Sequence, residues 1–264
     1  MEYFGYLAAV FIGIALGLIG GGGSILTIPI LVYLFKIDAA LATSYSLFIV
    51  GITATIGSMA HYKMGNLRIK SALYFAFPSL ISLLFFRKII LPIIPELLFK
   101  INELQVTKNM LILLIFALLM MAASVAMIKK SVDKPNAVKT NYGRLAFIGL
   151  SVGVIIGLMG AGGGFLIIPA LIFFAGLTIK EAVGTSLLII SINSLIGFAG
   201  DVVNDVVINY ELLFRITVIA IIGMFVGAFL SKKVNAEKLK PAFGYFILVM
   251  GIYIIVKEIF LNNL

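Results

Sequence analysis

The chain has 264 residues, 62% of them apolar and 12% charged, with a mean hydropathy of +1.19, which lies outside the range of soluble domains. Its formal charge of +9 sits on Lys and Arg gathered between apolar stretches, as in Lys129, Lys130, Lys134, Lys139 and Arg144, the pattern of a topology signal and not of a nucleic-acid surface. The lack of cysteine excludes disulfides and thiolate metal sites, no cofactor or metal is expected, and Glu2 ahead of a long apolar run is not expected of a cleaved signal peptide.

Stretches without charge lie at 3–35, 39–60, 71–86, 110–128, 145–179, 182–200, 216–231 and 241–256, giving eight hydrophobic segments. They are continuously apolar and not alternating, so a backbone that must satisfy itself inside a bilayer reads as helix throughout. The fold class expected is an all-α polytopic membrane protein. Crossing the hydrocarbon core takes roughly 20 helical residues, so the shortest runs reach only with their polar ends.

The first segment contains GLIGGGGSILTIP, Gly17 to Pro29. Gly20, Gly21, Gly22 and Gly23 run round the whole helix and lower its stability by up to about 1 kcal/mol each. Six residues past Gly23, Pro29 offers no N–H. The helix is expected to unwind here, leaving donors around Gly22 to Ser24 that favour an anion. No Lys-Ser or Lys-Thr follows, which sets the stretch apart from a nucleotide-binding P-loop.

On the second segment Thr43 and Ser44 follow, and Ser44, Gly51, Thr55 and Ser58 share one helix face. His61 is expected at the interface. Lys70 opens the third segment and Arg87-Lys88 closes it as flanking charges. The fifth segment carries GLMGAGGGFLIIP, Gly157 to Pro169, identical to the first motif at 8 of 13 positions, with Gly160, Gly162, Gly163 and Gly164 in place of the first run. Thr185 and Ser186 follow on the sixth, where Ser186, Asn193, Gly197 and Gly200 repeat the polar stripe, and Asp201 is read as an ordinary charge at a segment's end. No acidic residue is expected inside a span.

The order long, medium, short, short occurs twice, so the chain reads as two homologous repeats of four segments, each opening with a Gly-broken helix: repeat 1 at 1–128, a cytoplasmic linker at 129–144, and repeat 2 at 145–264, within one membrane domain. If the two broken helices re-enter, 13 of the 20 Lys and Arg fall on one side, each repeat crosses three times, and the repeats are inverted with the N-terminus outside. The alternative is a single tilted, kinked span. Candidate substrate-binding residues are Gly20, Gly21, Gly22, Gly23, Ser24, Thr43, Ser44, Gly160, Gly162, Gly163, Gly164, Thr185, Ser186 and Asn193, with Pro29 and Pro169 as helix breakers. Glycine packing and helix–helix hydrogen bonds are the competing readings of the same residues.

These motifs, GLIGGGGSILTIP with ATSYS and GLMGAGGGFLIIP with GTSLL, resemble the sulfite exporter TauE/SafE family over nearly the whole chain. The resemblance implies a multi-pass permease of the inner (plasma) membrane for a small anion, such as sulfite, sulfoacetate or a related sulfur oxoanion or organosulfonate. Its motif positions would be Gly17, Gly20, Gly22, Gly23 and Pro29 with Gly157, Gly160, Gly162, Gly163 and Pro169, and Ala42 departs from the pattern that Gly184 keeps. An intramembrane enzyme or a non-transporting assembly protein are the alternatives. The partners expected are the anion and the lipid bilayer, with no nucleic acid. A homo-oligomer and a coupling ion, proton or sodium, stay open.

Overall fold

The computed structural model describes residues 2–101, 104–128, 141–159, 163–204, 206–231 and 236–261. Helix α1 (Glu2–Ile19) runs into a 3-10 segment at Gly20–Leu26 and then α2 (Thr27–Tyr33). After it come α3 (Ala39–Lys63) and α4 (Ile69–Ile93), the latter containing a π-turn at Phe86–Ile90. Helices α5 (Lys108–Ile128), α6 (Tyr142–Met159), α7 (Gly164–Ala175), α8 (Ile179–Val203), α9 (Tyr210–Ser231) and α10 (Ala236–Val256) complete the order. A short hairpin of β1 (Leu97–Ile101) and β2 (Leu104–Thr107) interrupts the all-α pattern, paired antiparallel with Lys100 opposite Gln105. It follows Pro92 and Pro95, which stop α4.

Among the described residues, six helices (α3, α4, α5, α6, α8 and α9) are long and apolar enough to cross a membrane. Large apolar side chains such as Phe11, Phe77, Phe147 and Phe214 point outward, as a lipid-facing surface requires. Both glycine-broken segments turn back. A β-carbon on Gly5, near the start of α1, would lie 2.8 Å from the ring of Phe35, so the chain beyond α2 has returned to the end where α1 began. Gly23 backs onto Ala15 and Leu16 of its own α1, and Gly163 onto Ile156 and Val152 of α6. Thus α6 has the length of a span, yet the chain reverses at its end.

Helix pairing follows a single exchange rule. Helix α1 packs on α9, α4 on α6, α3 on α8 and α5 on α10. In terms of two halves, first meets third, third meets first, second meets second and fourth meets fourth. Gly51 of α3 meets Leu195 and Gly57 meets Leu187, so α3 and α8 are antiparallel. Gly244 of α10 reaches Ile128 and Met127, whereas Gly251 reaches Met121 and Ala117, so α5 and α10 are antiparallel too. Both contacts thus set a helix of the first half against an oppositely directed helix of the second.

Both second helices start on side-chain caps 140 residues apart. Asp38 accepts from Ala40 N at 2.9 Å, and Thr178 forms a capping box with Glu181. These caps fix where each hairpin ends and each full-length helix begins.

Candidate functional site

The first break opens at Gly20, whose φ of 69° is left-handed and closed to most side chains. The chain does not unwind fully but tightens into 3-10 turns, with Ser24 Oγ donating to the Gly21 carbonyl at 2.8 Å. Pro29 falls in the first turn of α2, where a missing N–H costs little. At the second break, Gly160 and Gly162 lie outside the described residues. Gly163, at φ 64°, caps α7, and its carbonyl accepts from Leu166 N at 2.9 Å and Ile167 N at 3.0 Å. Pro169 sits inside α7.

The two breaks touch. A β-carbon on Gly21 would lie 2.8 Å from the Gly164 α-carbon and 3.4 Å from Ser186 Oγ, and one on Gly20 would lie 2.6 Å from Val183 Cγ1. Gly20, Gly21, Gly164 and Ser186 therefore form one buried group, in which the glycines permit backbone to meet backbone. Ser186 donates to the Val183 carbonyl at 2.8 Å, and Thr185 accepts from Arg68 N at 3.0 Å.

The polar stripe lies between helices. The hydroxyls of Thr55 and Ser191 meet at 2.6 Å across the α3–α8 contact, and Gly197 lies against Leu83 and Leu47. Asn193 is fully buried and donates from Nδ2 to Ser79 Oγ at 2.6 Å. Ser79 in turn donates to the Ala76 carbonyl, so its oxygen must accept, which fixes the amide's orientation. That leaves Asn193 Oδ1 without a partner, and a lone acceptor suits a donor such as water better than an anion's oxygen. Gly184 admits His61, whose Cβ would lie 2.9 Å from an added β-carbon, while Ala42 is packed in the small core around Tyr45.

Thr43 and Ser44 belong to a second group, built around a residue that charge counting sets aside. Arg87, in the π-turn of α4, is 5% exposed. Its Nε donates to Asp201 Oδ1 at 2.7 Å and its Nη2 to Asp201 Oδ2; Nη2 also reaches Ser44 Oγ at 2.9 Å and Thr43 Oγ1 at 3.3 Å, and Nη1 reaches the Gly157 carbonyl at 3.2 Å. Asp201 is likewise 5% exposed, so the expectation that no acid lies inside a span is corrected: it belongs to the 25-residue α8. The signal was the short 71–86 run, because 16 residues cannot cross and the helix must continue past Arg87, carrying it inside. At the other end of α8, Arg68 donates to Glu181 from a far more exposed position, 57% against 4% for the Arg87 side chain.

A polytopic helical protein with two back-to-back helix breaks and a buried charge pair between its halves has the build of a membrane permease. The sequence model of the sulfite exporter TauE/SafE family matches residues 5–254, and the chain belongs to that family. A relative from Xylella fastidiosa named a probable membrane transporter protein is 30% identical over 252 residues, covering 92% of this chain and 91% of its own. The probable membrane transporter protein YdhB of Bacillus subtilis is 28% identical over 236 residues, 89% of this chain and 93% of its own. One from Methanocaldococcus jannaschii, with the same description, is 34% identical over 116 residues, 41% of this chain and 43% of its own.

Proposed function

We propose that the protein moves a small anion, a sulfur oxoanion or organosulfonate such as sulfite or sulfoacetate, across the inner (plasma) membrane. The anion is taken between the two halves at the glycine breaks. The observation that carries this reading is the start of α7. A 12-residue helix begins at Gly163 and Gly164, both buried, with Gly21 of the opposite half against it. The first N–H groups of a helix have no acceptor within it, so partial positive charge gathers in the interior where the halves meet. Ser186 places a hydroxyl beside this point. The family's sulfite-exporter description favours sulfur oxoanions within the class of small anions.

Counterflow in proteoliposomes tests the reading. Vesicles loaded with unlabelled sulfite or sulfoacetate are given the labelled compound outside, and a permease accumulates label transiently without altering it chemically. Accumulation with sulfite or a sulfonate, and none with chloride, is the expected result. Conversion of substrate without movement would mean an enzyme. Neither movement nor conversion across the panel would leave the sulfur-anion reading without support.

A further inference from the structure

A charged pair inside the bilayer is not needed for anion binding at a helix N-terminus, and burying it is costly. The midpoint of α3 is Gly51, and Thr43 lies eight residues before it, about 12 Å along the axis at 1.5 Å per residue. That is within the roughly 15 Å half-thickness of the hydrocarbon core. Buried pairs of this kind are commonly replaceable by apolar residues with no loss of stability, so fold strength does not account for one.

Its connections suggest a use. The guanidinium ties together four elements, two from each half: the first turns of α3 through Thr43 and Ser44, the π-turn of α4, the end of α6 through the Gly157 carbonyl, and the last turn of α8 through Asp201. These are the parts that must separate if the halves rock. A π-turn inside a helix is itself a feature that gathers at functional sites.

We infer that Arg87 is the receptor for the transported anion at the end of the protein where α3 begins and α8 ends, and that Asp201 is a resident carboxylate holding its place. This rests on the anion-permease reading above. Asp201 bonds to the edge of the guanidinium formed by Nε and Nη2, the fork that takes two oxygens of a carboxylate, sulfite or sulfonate side by side. The carboxylate thus occupies the position an oxoanion would take. Ser44 and Thr43 now accept from Arg87, and hydroxyls can turn to donate to an anion seated there. Asp201 has somewhere to go, because Val202, Val203 and Asn204, which follow it, are exposed.

The test uses sulfite as probe, with thermal stabilisation of the purified protein and counterflow as readouts, on wild type, Asp201→Asn, and Arg87→Gln/Asp201→Asn. Removing the competing carboxylate should tighten sulfite binding about tenfold or more and slow turnover, a fall in both KM and kcat that a purely structural pair does not produce. If Asp201→Asn alone is unstable, sulfite should restore its melting temperature by more than it raises that of wild type. The double variant leaves no charge unpaired, so it should fold, raise the KM for sulfite about tenfold or more, and keep only the weaker sulfite stabilisation that the glycine breaks supply. A double variant that binds and moves sulfite with wild-type KM overturns the inference and leaves the permease reading standing. A wild type that neither binds nor moves sulfite or sulfoacetate overturns both.

Discussion

A β-carbon on Gly164 would fall within the backbone of Gly21, so no side-chain movement can relieve the clash and the two breaks would have to part. Gly164→Ala should cost about 1–3 kcal/mol, the usual scale of overpacking, and be read as an earlier thermal melt in detergent. Gly200→Ala is the control. There the added carbon meets only Leu84 Cδ2 at 3.3 Å, and replacing glycine inside a helix returns up to about 1 kcal/mol. Equal melting of the two variants would show that the breaks are not in close contact. The residues of the site were partly legible in the chain: glycines and hydroxyls such as Gly21, Thr43, Ser44 and Ser186 stand out inside apolar runs. Asp201 was not, and Arg87 only through the shortness of the 71–86 run, because a charge read along the sequence marks the edge of a segment, and only a partner from another helix lets it lie within one.

The helices join through glycine placed at every fourth residue. Gly149, Gly153 and Gly157 of α6 lie against the backbone around Phe75, Ser79 and Leu83 of α4, while Gly13 and Gly17 of α1 interlock with Gly223 and Gly227 of α9. Without a hydrophobic drive between helices in lipid, this closeness supplies dispersion contact, aided by bonds such as Ser82 Oγ to the Leu150 carbonyl at 2.7 Å. Gly153→Leu should therefore separate α6 from α4 and prevent recovery of folded protein on gel filtration. Ser82→Ala should cost only about 0.6 kcal/mol, the mean for such bonds in a membrane. The existence and order of the helices could be read from apolar runs alone. Which helix meets which could not, since the spacing of Gly149, Gly153 and Gly157 announces a close neighbour without saying that it is α4. The β1–β2 hairpin escaped because its few alternating residues are outweighed by the long apolar runs on either side.

At the scale of the molecule, the antiparallel contact of α3 with α8 fixes the relation of the two ends. Asp201 and the chain after it lie with the start of α3, beside Thr43, whereas Arg68 and the chain after α3 lie with Thr185 at the start of α8. Lys36, Asp38, Asn109, Lys257 and Glu258 line one cavity of about 320 Å³, which gathers the end of the α2 limb, the start of α5 and the end of α10 at a single level. We propose that the end where α3 stops faces the cytoplasm, an orientation read from the sequence, in which 61–70, 129–144, 180–181 and 231–240 carry 13 of the 20 Lys and Arg. A chain without cysteine makes this directly measurable. Met64 and Val207 are 56% and 87% exposed, and they follow α3 and precede α9 at opposite ends. In intact cells a maleimide that cannot cross the membrane should label Val207→Cys at once, and Met64→Cys only after the membrane is opened. Labelling of both from the same side would require α3 and α8 to run in parallel, against the contacts of Gly51 with Leu195 and of Gly57 with Leu187.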